Sequence, residues 1–178
     1  MDTISTKRLT LRSLEIYDLS DFYEYAKHPD VGPNAGWKPL ESLESAANTL
    51  LGLMEKDDTW AIVENISGKV IGTIALRPDK RRNHDKAKEI GYVLNPAFWG
   101  NGYMLEIVKA VINHAFEKMD LLIISIDHYP FNQRSKKVIE KAGFLYEGTL
   151  RLSCKIYTGE IYDHVCYSMT KDDYKNLF

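Results

Sequence analysis

A chain of 178 residues with 44% apolar side chains is the size of one domain and long enough to bury a core. Its formal net charge of −2 excludes the strongly basic balance of a nucleic-acid binder, and no apolar run approaches the ~20 residues that a membrane-spanning helix needs. The opening residues are polar at Asp2, Thr3 and Ser5, unlike a secretory segment, so a cytoplasmic protein with no nucleic-acid or membrane partner is expected.

Leu9-Thr10-Leu11-Arg12 alternates apolar and polar, as a half-buried first strand does. From Asp18, a good N-cap, Leu19, Phe22, Tyr23 and Ala26 recur at helical spacing, and that helix should end before Pro29. Residues 29–39 hold three Pro, two Gly and Trp37 and read as a loop. Trp37 is a candidate for lining an acceptor entrance, with plain packing as the competing reading. A second amphipathic helix starts near Ser42, with Leu43, Ala47, Leu50, Leu51 and Met54 as its apolar positions. Two short strands follow, Trp60 to Val63 and Val70 to Ala75, joined by a turn containing Ser67-Gly68. The basic stretch from Arg77 to Lys88 has no periodicity and reads as a solvated loop.

Glu89 to Leu94 is a strand that stops at Asn95-Pro96, since proline cannot donate to a ladder. A glycine-containing turn, Phe98 to Tyr103, leads into a long helix with Leu105, Val108, Ile112, Ala115, Phe116 and Met119 on one face. Leu121 to Ile126 is an almost unbroken apolar run, suited to a strand covered on both faces, so strand, helix and strand form a parallel crossover. A further helix from about Asn132 to Ala142 closes at Gly143. Strands near Phe144 to Arg151 and Tyr162 to Met169, with Thr158-Gly159 between them, form a long antiparallel hairpin. The fold class is therefore mixed α/β, a central mixed sheet with helices on both faces in one domain over 1–178.

Cys154 and Cys166 have no Cys or His at metal-finger spacing, and the five His show no paired spacing on a helix face, so no metal site is expected. The turn at Gly100-x-Gly102 suits a diphosphate. A helix's first turn offers unpaired N–H groups and a positive dipole end, and glycine lets the backbone approach the anion. No Lys-Ser or Lys-Thr follows it as in a Walker loop, and the three-glycine dinucleotide fingerprint is missing too.

The longer run Glu-Ile-Gly-Tyr-Val-Leu-Asn-Pro-x-x-Trp-Gly-x-Gly-Tyr, Glu89 to Tyr103, closely resembles the cofactor motif of the GNAT acetyltransferase superfamily. A second match, Asn132-x-x-Ser135-x-x-Val138-x-x-Lys141-x-Gly143-Phe144, follows in the right order. After it come Glu147-Gly148-x-x-Arg151 and Asp163. The likeness is greatest to the Rim-type ribosomal-protein N-terminal acetyltransferases and covers nearly the whole chain. It implies a splayed sheet and the transfer of an acetyl group from acetyl-CoA to a primary amine by direct attack in a ternary complex. Tyr92, Val93 and Leu94 would pair with the pantetheine arm as an added strand does. The amides from Trp99 through Gly100, Asn101, Gly102, Tyr103 and Met104 to Leu105 would cradle the diphosphate. Asn132 would bond a pantetheine amide, with Ser135 one helical step beyond. The family usually has Gly or Ala at the position of Met104, which predicts an altered fit around the diphosphate.

An alkyl ammonium keeps its proton near pH 7, so attack wants a base or a water relay. Glu89 matches the family's usual carboxylate, and an exposed strand-end Glu is the competing reading. A main-chain N–H such as that of Val93 would meet the developing oxyanion. Ser135 would relay a proton to the leaving thiolate, with a helix cap as its alternative, and Tyr92 is a second candidate acid, with half-buried core as the favoured reading. Arg134, Lys136, Lys137 and Lys141 read as a solvated face. A protein N-terminus and a small-molecule amine, either a polyamine or an aminoglycoside, are both open as acceptor. The rival outside that class is an acyl-CoA-binding regulatory module without turnover. Relatives are often dimers, which makes a homodimer an expectation.

Overall fold

The computed structural model describes residues 1–177. Among these, the strands are β1 (Ile4–Ser5), β2 (Leu9–Ser13), β3 (Thr59–Glu64), β4 (Val70–Pro78), β5 (Ala87–Leu94), β6 (Ile123–His128), β7 (Leu145–Lys155) and β8 (Ile161–Thr170). The helices are α1 (Leu19–Ala26), α2 (Leu43–Lys56), α3 (Tyr103–Glu117), α4 (Gln133–Ala142) and α5 (Lys171–Leu177). The strands form an open mixed sheet in the order β1-β2-β3-β4-β5-β6-β8-β7. The predicted crossover is present: β5 and β6, on either side of α3, run parallel with Ala87 opposite Ile123 and Ile90 opposite Ile126. The chain packs as two units, one of Met1–Leu76 with Gly91–Tyr103, the other of Arg77–Ile90 with Met104 onward.

In the first unit, β2, β3 and β4 are antiparallel neighbours, and α1 and α2 pack on one another. Its core gathers Leu14, Phe22, Tyr25, Ala26 and Val31 with Ala46, Leu50, Ala61 and Val70. The predicted apolar face of α2 is rotated from where it was expected. Ala46 and Leu50 are buried with Leu53 and Met54 packed beside them, whereas Leu43 and Leu51 are exposed. The buried set runs i, i+4, i+7, i+8, and a helix has room for only one such stripe against α1. Ser42 caps α2, its hydroxyl accepting from Ser45 N–H at 3.1 Å. Asp18 does not cap α1. Its carboxylate is buried under a two-point bond from Arg12, at 2.7 and 2.8 Å, and also accepts from Glu15 N–H. Trp37 packs against this core, and a Cβ on Gly32 would meet its carbonyl at 2.5 Å. The packing reading therefore describes what Trp37 touches.

In the second unit, Ile107, Val108, Val111, Ile112, Ala115 and Phe116 form the buried stripe of α3. Leu105 is half-buried and Met119 lies beyond the helix, exposed. β6 begins two residues later than predicted, and Leu122 is exposed. The predicted hairpin of β7 and β8 is present but longer than expected, β7 running to Lys155 and not stopping at Arg151, and β8 lies between β6 and β7, which puts β7 at an edge of the sheet. Two elements have no counterpart in the sequence reading. β1 is too short to show a period. α5 is polar and starts with a capping box, Thr170 N–H donating to Asp173 Oδ2 at 2.9 Å and Asp173 N–H to Thr170 Oγ1 at 3.1 Å.

Candidate active site

In the first unit, β5 is held hard against β4. A Cβ added at Gly72 would lie 2.3 Å from the Val93 carbonyl oxygen and 3.0 Å from Leu94 Cα, so only glycine allows this approach. Tyr92 and Val93 are half-buried and Leu94 is buried. The strand ends where Asn95 is tied in four ways. Its amide donates to the Ile71 carbonyl at 2.7 Å and its side chain donates to Glu24 at 3.0 Å. Its Oδ1 accepts from Ala97 N–H at 3.1 Å, and its carbonyl from Phe98 N–H at 2.9 Å. Glu24 is in turn paired with Lys69.

The turn that follows is anchored at both ends. Trp99 packs on the core and its indole N–H donates to the Leu94 carbonyl at 2.8 Å. Gly100 and Gly102 have φ of 81° and 75°, left-handed values that side chains disfavour, and both are exposed with Asn101. Arg8 donates to the Asn101 carbonyl at 2.9 Å, and its guanidinium lies 4.5 Å over the Tyr103 ring. Tyr103 donates to Glu64 at 2.8 Å. Arg8 was not singled out from the sequence. It lies ninety-odd residues away in β2's approach, and no spacing rule connects it to the turn.

Met104, in the first turn of α3, is buried at 6% exposure. Its side chain is withdrawn from solvent, and its amide lies in the helix's first turn. Leu105 is half-buried.

In the second unit, Asn132 is the N-cap of α4, its Oδ1 accepting from Ser135 N–H at 3.1 Å. Both residues are half-buried. Lys136 pairs loosely with Glu140 at 3.8 Å, and Arg134, Lys137 and Lys141 are exposed, which is the solvated face expected.

Glu89 belongs to a network that the sequence reading missed. The stretch from Arg77 to Lys88, read as a solvated loop, carries Asp79 with a fully buried side chain. Asp79 accepts from Ser125 Oγ at 2.7 Å, from Arg82 at 2.6 Å and from Arg81 N–H at 2.8 Å. Burial opposes ionisation of Asp79 most strongly. The donors from Ser125, Arg81 and Arg82 together outweigh it and hold the carboxyl below its usual range. From this anchor Arg81 spans two carboxylates, donating to Glu89 Oε2 at 2.7 Å and to Asp127 Oδ2 at 2.9 Å. Its Nη1 also reaches Cys166 Sγ at 3.2 Å, while Arg82 bonds Glu147, which accepts from Ser168 at 2.8 Å. Burial pushes the Glu89 carboxyl up, Asp127 and Asp79 add to that, and Arg81 and Arg77 oppose it. Glu89 is thus not a plain solvated strand end: its side chain is 35% exposed and its proton affinity is raised. A raised carboxyl beside a guanidinium can take a proton from an ammonium more readily than an ordinary glutamate can.

The acetyltransferase (GNAT) domain family matches residues 8–145. The N-acetyltransferase p20 of Bacillus licheniformis is 29% identical, over 98% of this chain and 99% of its own. A GNAT-family acetyltransferase of Bacillus anthracis has the same fold, with a TM-score of 0.86 and 24% identity over 96% of this chain and 99% of the other. The ribosomal-protein-S5-alanine acetyltransferase of Vibrio fischeri superposes with a TM-score of 0.78 at 25% identity, covering 98% and 99% of the two chains. The chain therefore belongs to the GNAT acetyltransferase family and is an N-acetyltransferase.

Proposed function

We propose that this enzyme acetylates the α-amino group of a protein N-terminus, using acetyl-CoA as donor. The observation that carries the acceptor is the end-to-end likeness to a ribosomal-protein-S5-alanine acetyltransferase. Proton chemistry points the same way. An α-amino group, with a pKa of ~7.7–8.0, is roughly a tenth neutral near pH 7, whereas an alkyl amine of pKa ~10.4 is neutral in only about one molecule in a few thousand. A glutamate base therefore has far less to do for the first.

Acetyl-CoA supplies the acyl thioester; the amine nitrogen bonds its carbonyl carbon as the carbon–sulfur bond breaks. Glu89 takes the proton that the amine gives up, directly or through one water. The main-chain N–H of Val93 meets the charge that develops on the carbonyl oxygen, and the Ser135 hydroxyl relays a proton to the departing sulfur, taking one from solvent as it gives up its own. Tyr92, Val93 and Leu94 supply the strand along which the pantetheine arm lies, and Asn132 contributes its side-chain amide Nδ2. The left-handed glycines and the amides from Trp99 to Leu105 suit a diphosphate, and Arg8 brings a positive charge to that turn.

One feature favours a small polycationic amine as the second reading: Asp79, Glu89, Asp127 and Glu147 outnumber Arg81 and Arg82 in the network. Free thiols at Cys154 and Cys166 support a reducing, cytoplasmic setting, and no helix among the described residues is long and apolar enough to cross a membrane. The family likeness also suggests a homodimer, which light scattering would contradict by giving a mass near 20.4 kDa. The acceptor is tested by thiol release from acetyl-CoA with N-terminal peptides, polyamines and aminoglycosides in parallel. An Ala- or Ser-initiated peptide should give a kcat/KM at least tenfold above any small amine. Preference for spermidine or an aminoglycoside would replace this reading, and release that no amine stimulates would leave an acyl-CoA-binding module.

A further inference from the structure

Arg81 and Asp127 have no place in the motifs that identify the family, yet both touch the group on which the proposed chemistry turns. Three elements meet at Glu89. β5 carries it, the stretch after β4 brings Asp79 and Arg81, and β6 brings Asp127, whose opposite neighbour on β8 is Cys166. Arg81 is not a loose surface cation. Its main-chain N–H is fastened to Asp79 at 2.8 Å, and Asp79 is fixed to the sheet through Ser125 at 2.7 Å. The guanidinium then divides its donors, Nη2 to Glu89 at 2.7 Å and Nη1 to Asp127 at 2.9 Å. A planar fork with separate donors can hold two carboxylates in one plane; the point charge of a lysine cannot.

We propose that Arg81 is the positioning residue of the reaction's base: bridging Glu89 and Asp127, it fixes the Glu89 carboxylate through one oxygen, Oε2, and leaves the other to take the amine's proton. Asp127 is its counterweight. It shares the guanidinium and, as a second negative charge, keeps Arg81 from neutralising Glu89 fully. The charged and titratable groups around Glu89 are then Arg77 at the end of β4, Asp79 and Arg81 beyond it, Asp127 on β6, and Cys166 on β8 through Arg81. Removing the cation should make Glu89 hold its proton to higher pH, and removing the Asp127 charge should make it release the proton at lower pH.

The proposal rests on Glu89 being the base, so the experiment separates the two. The acidic limb of kcat/KM for an N-terminal peptide is recorded for the wild type, Glu89→Gln, Arg81→Gln, Arg81→Lys and Asp127→Asn. Thermal melts report folding for each. Glu89→Gln should abolish the limb. Arg81→Gln should move it up by ~1 pH unit and Asp127→Asn should move it down, with Arg81→Lys restoring part of the shift in position but not the rate. A residue that only stabilised the fold would lower the melting temperature without moving the limb in opposite directions. If Glu89→Gln abolishes the limb and neither the Asp127 nor the Arg81 variants move it, the positioning role is overturned and the base stands. If the limb survives Glu89→Gln, both fall. Should Arg81→Gln fail to fold, the downward shift in the isosteric Asp127→Asn decides alone.

Discussion

Asn132 and Ser135 sit at the start of α4 and share one hydrogen bond, in which the Asn132 carbonyl oxygen accepts from the Ser135 amide at 3.1 Å. That bond uses the oxygen of Asn132 and the main chain of Ser135, whereas the proposed work falls to the Asn132 NH2 and the Ser135 hydroxyl. Truncating each separates capping from chemistry. Asn132→Ala removes both the cap and the proposed pantetheine donor, so it should cost about 1 kcal/mol of stability and raise the KM for acetyl-CoA with little change in kcat. Ser135→Ala keeps the amide that Asn132 caps; it should leave the melting temperature nearly unchanged and lower kcat by at least tenfold. Steady-state kinetics and a thermal melt on each variant check this. A Ser135→Ala enzyme with wild-type kcat removes the hydroxyl from the mechanism.

The strand–turn–helix from β5 through α3 shows how far local sequence reaches. Its glycines, Asn95-Pro96 and Trp99 are all legible as strand stop, turn and helix start, because each acts within a few residues of itself. Gly102 illustrates the reason it is glycine. A Cβ there would be 3.7 Å from Arg8 Nη2, ordinary contact, so space does not exclude a side chain; the φ of 75° does. Gly102→Val should distort the turn and weaken acetyl-CoA binding tenfold or more, roughly 1.4 kcal/mol, as read by calorimetry on the folded variant. Unchanged affinity would move the diphosphate elsewhere. What the pattern could not reveal are contacts between distant segments. Gly72 looks like any strand glycine until β5 is seen against it, and Arg8 until its bond to Asn101 is seen. The Arg77–Lys88 stretch has charges without a period, which reads as solvation. Only the fold shows that Asp79 is buried and that Arg81 reaches two other strands. The face of α2 differs for a related reason: Leu43 and Leu51 are apolar but exposed, and the buried stripe through Ala46 and Leu50 packs against residues distant in sequence.

Across the whole molecule, a net charge of −2 conceals an uneven local arrangement, with Arg8 at the glycine turn and the carboxylates gathered around Arg81. An anionic donor and a cationic acceptor want opposite surroundings, and charge distribution rather than total charge supplies them. We propose that 1–178 acts as one domain. The central claim is that the Glu89 carboxylate removes the amine's proton, and one measurement tests it most directly: turnover against pH for wild type and Glu89→Gln, with acetyl-CoA affinity measured alongside. The expected result is a fall in kcat of ~10²-fold, loss of the acidic limb, and an acetyl-CoA Kd within twofold of wild type. A Glu89→Gln enzyme with wild-type kcat and an unchanged pH profile would contradict it.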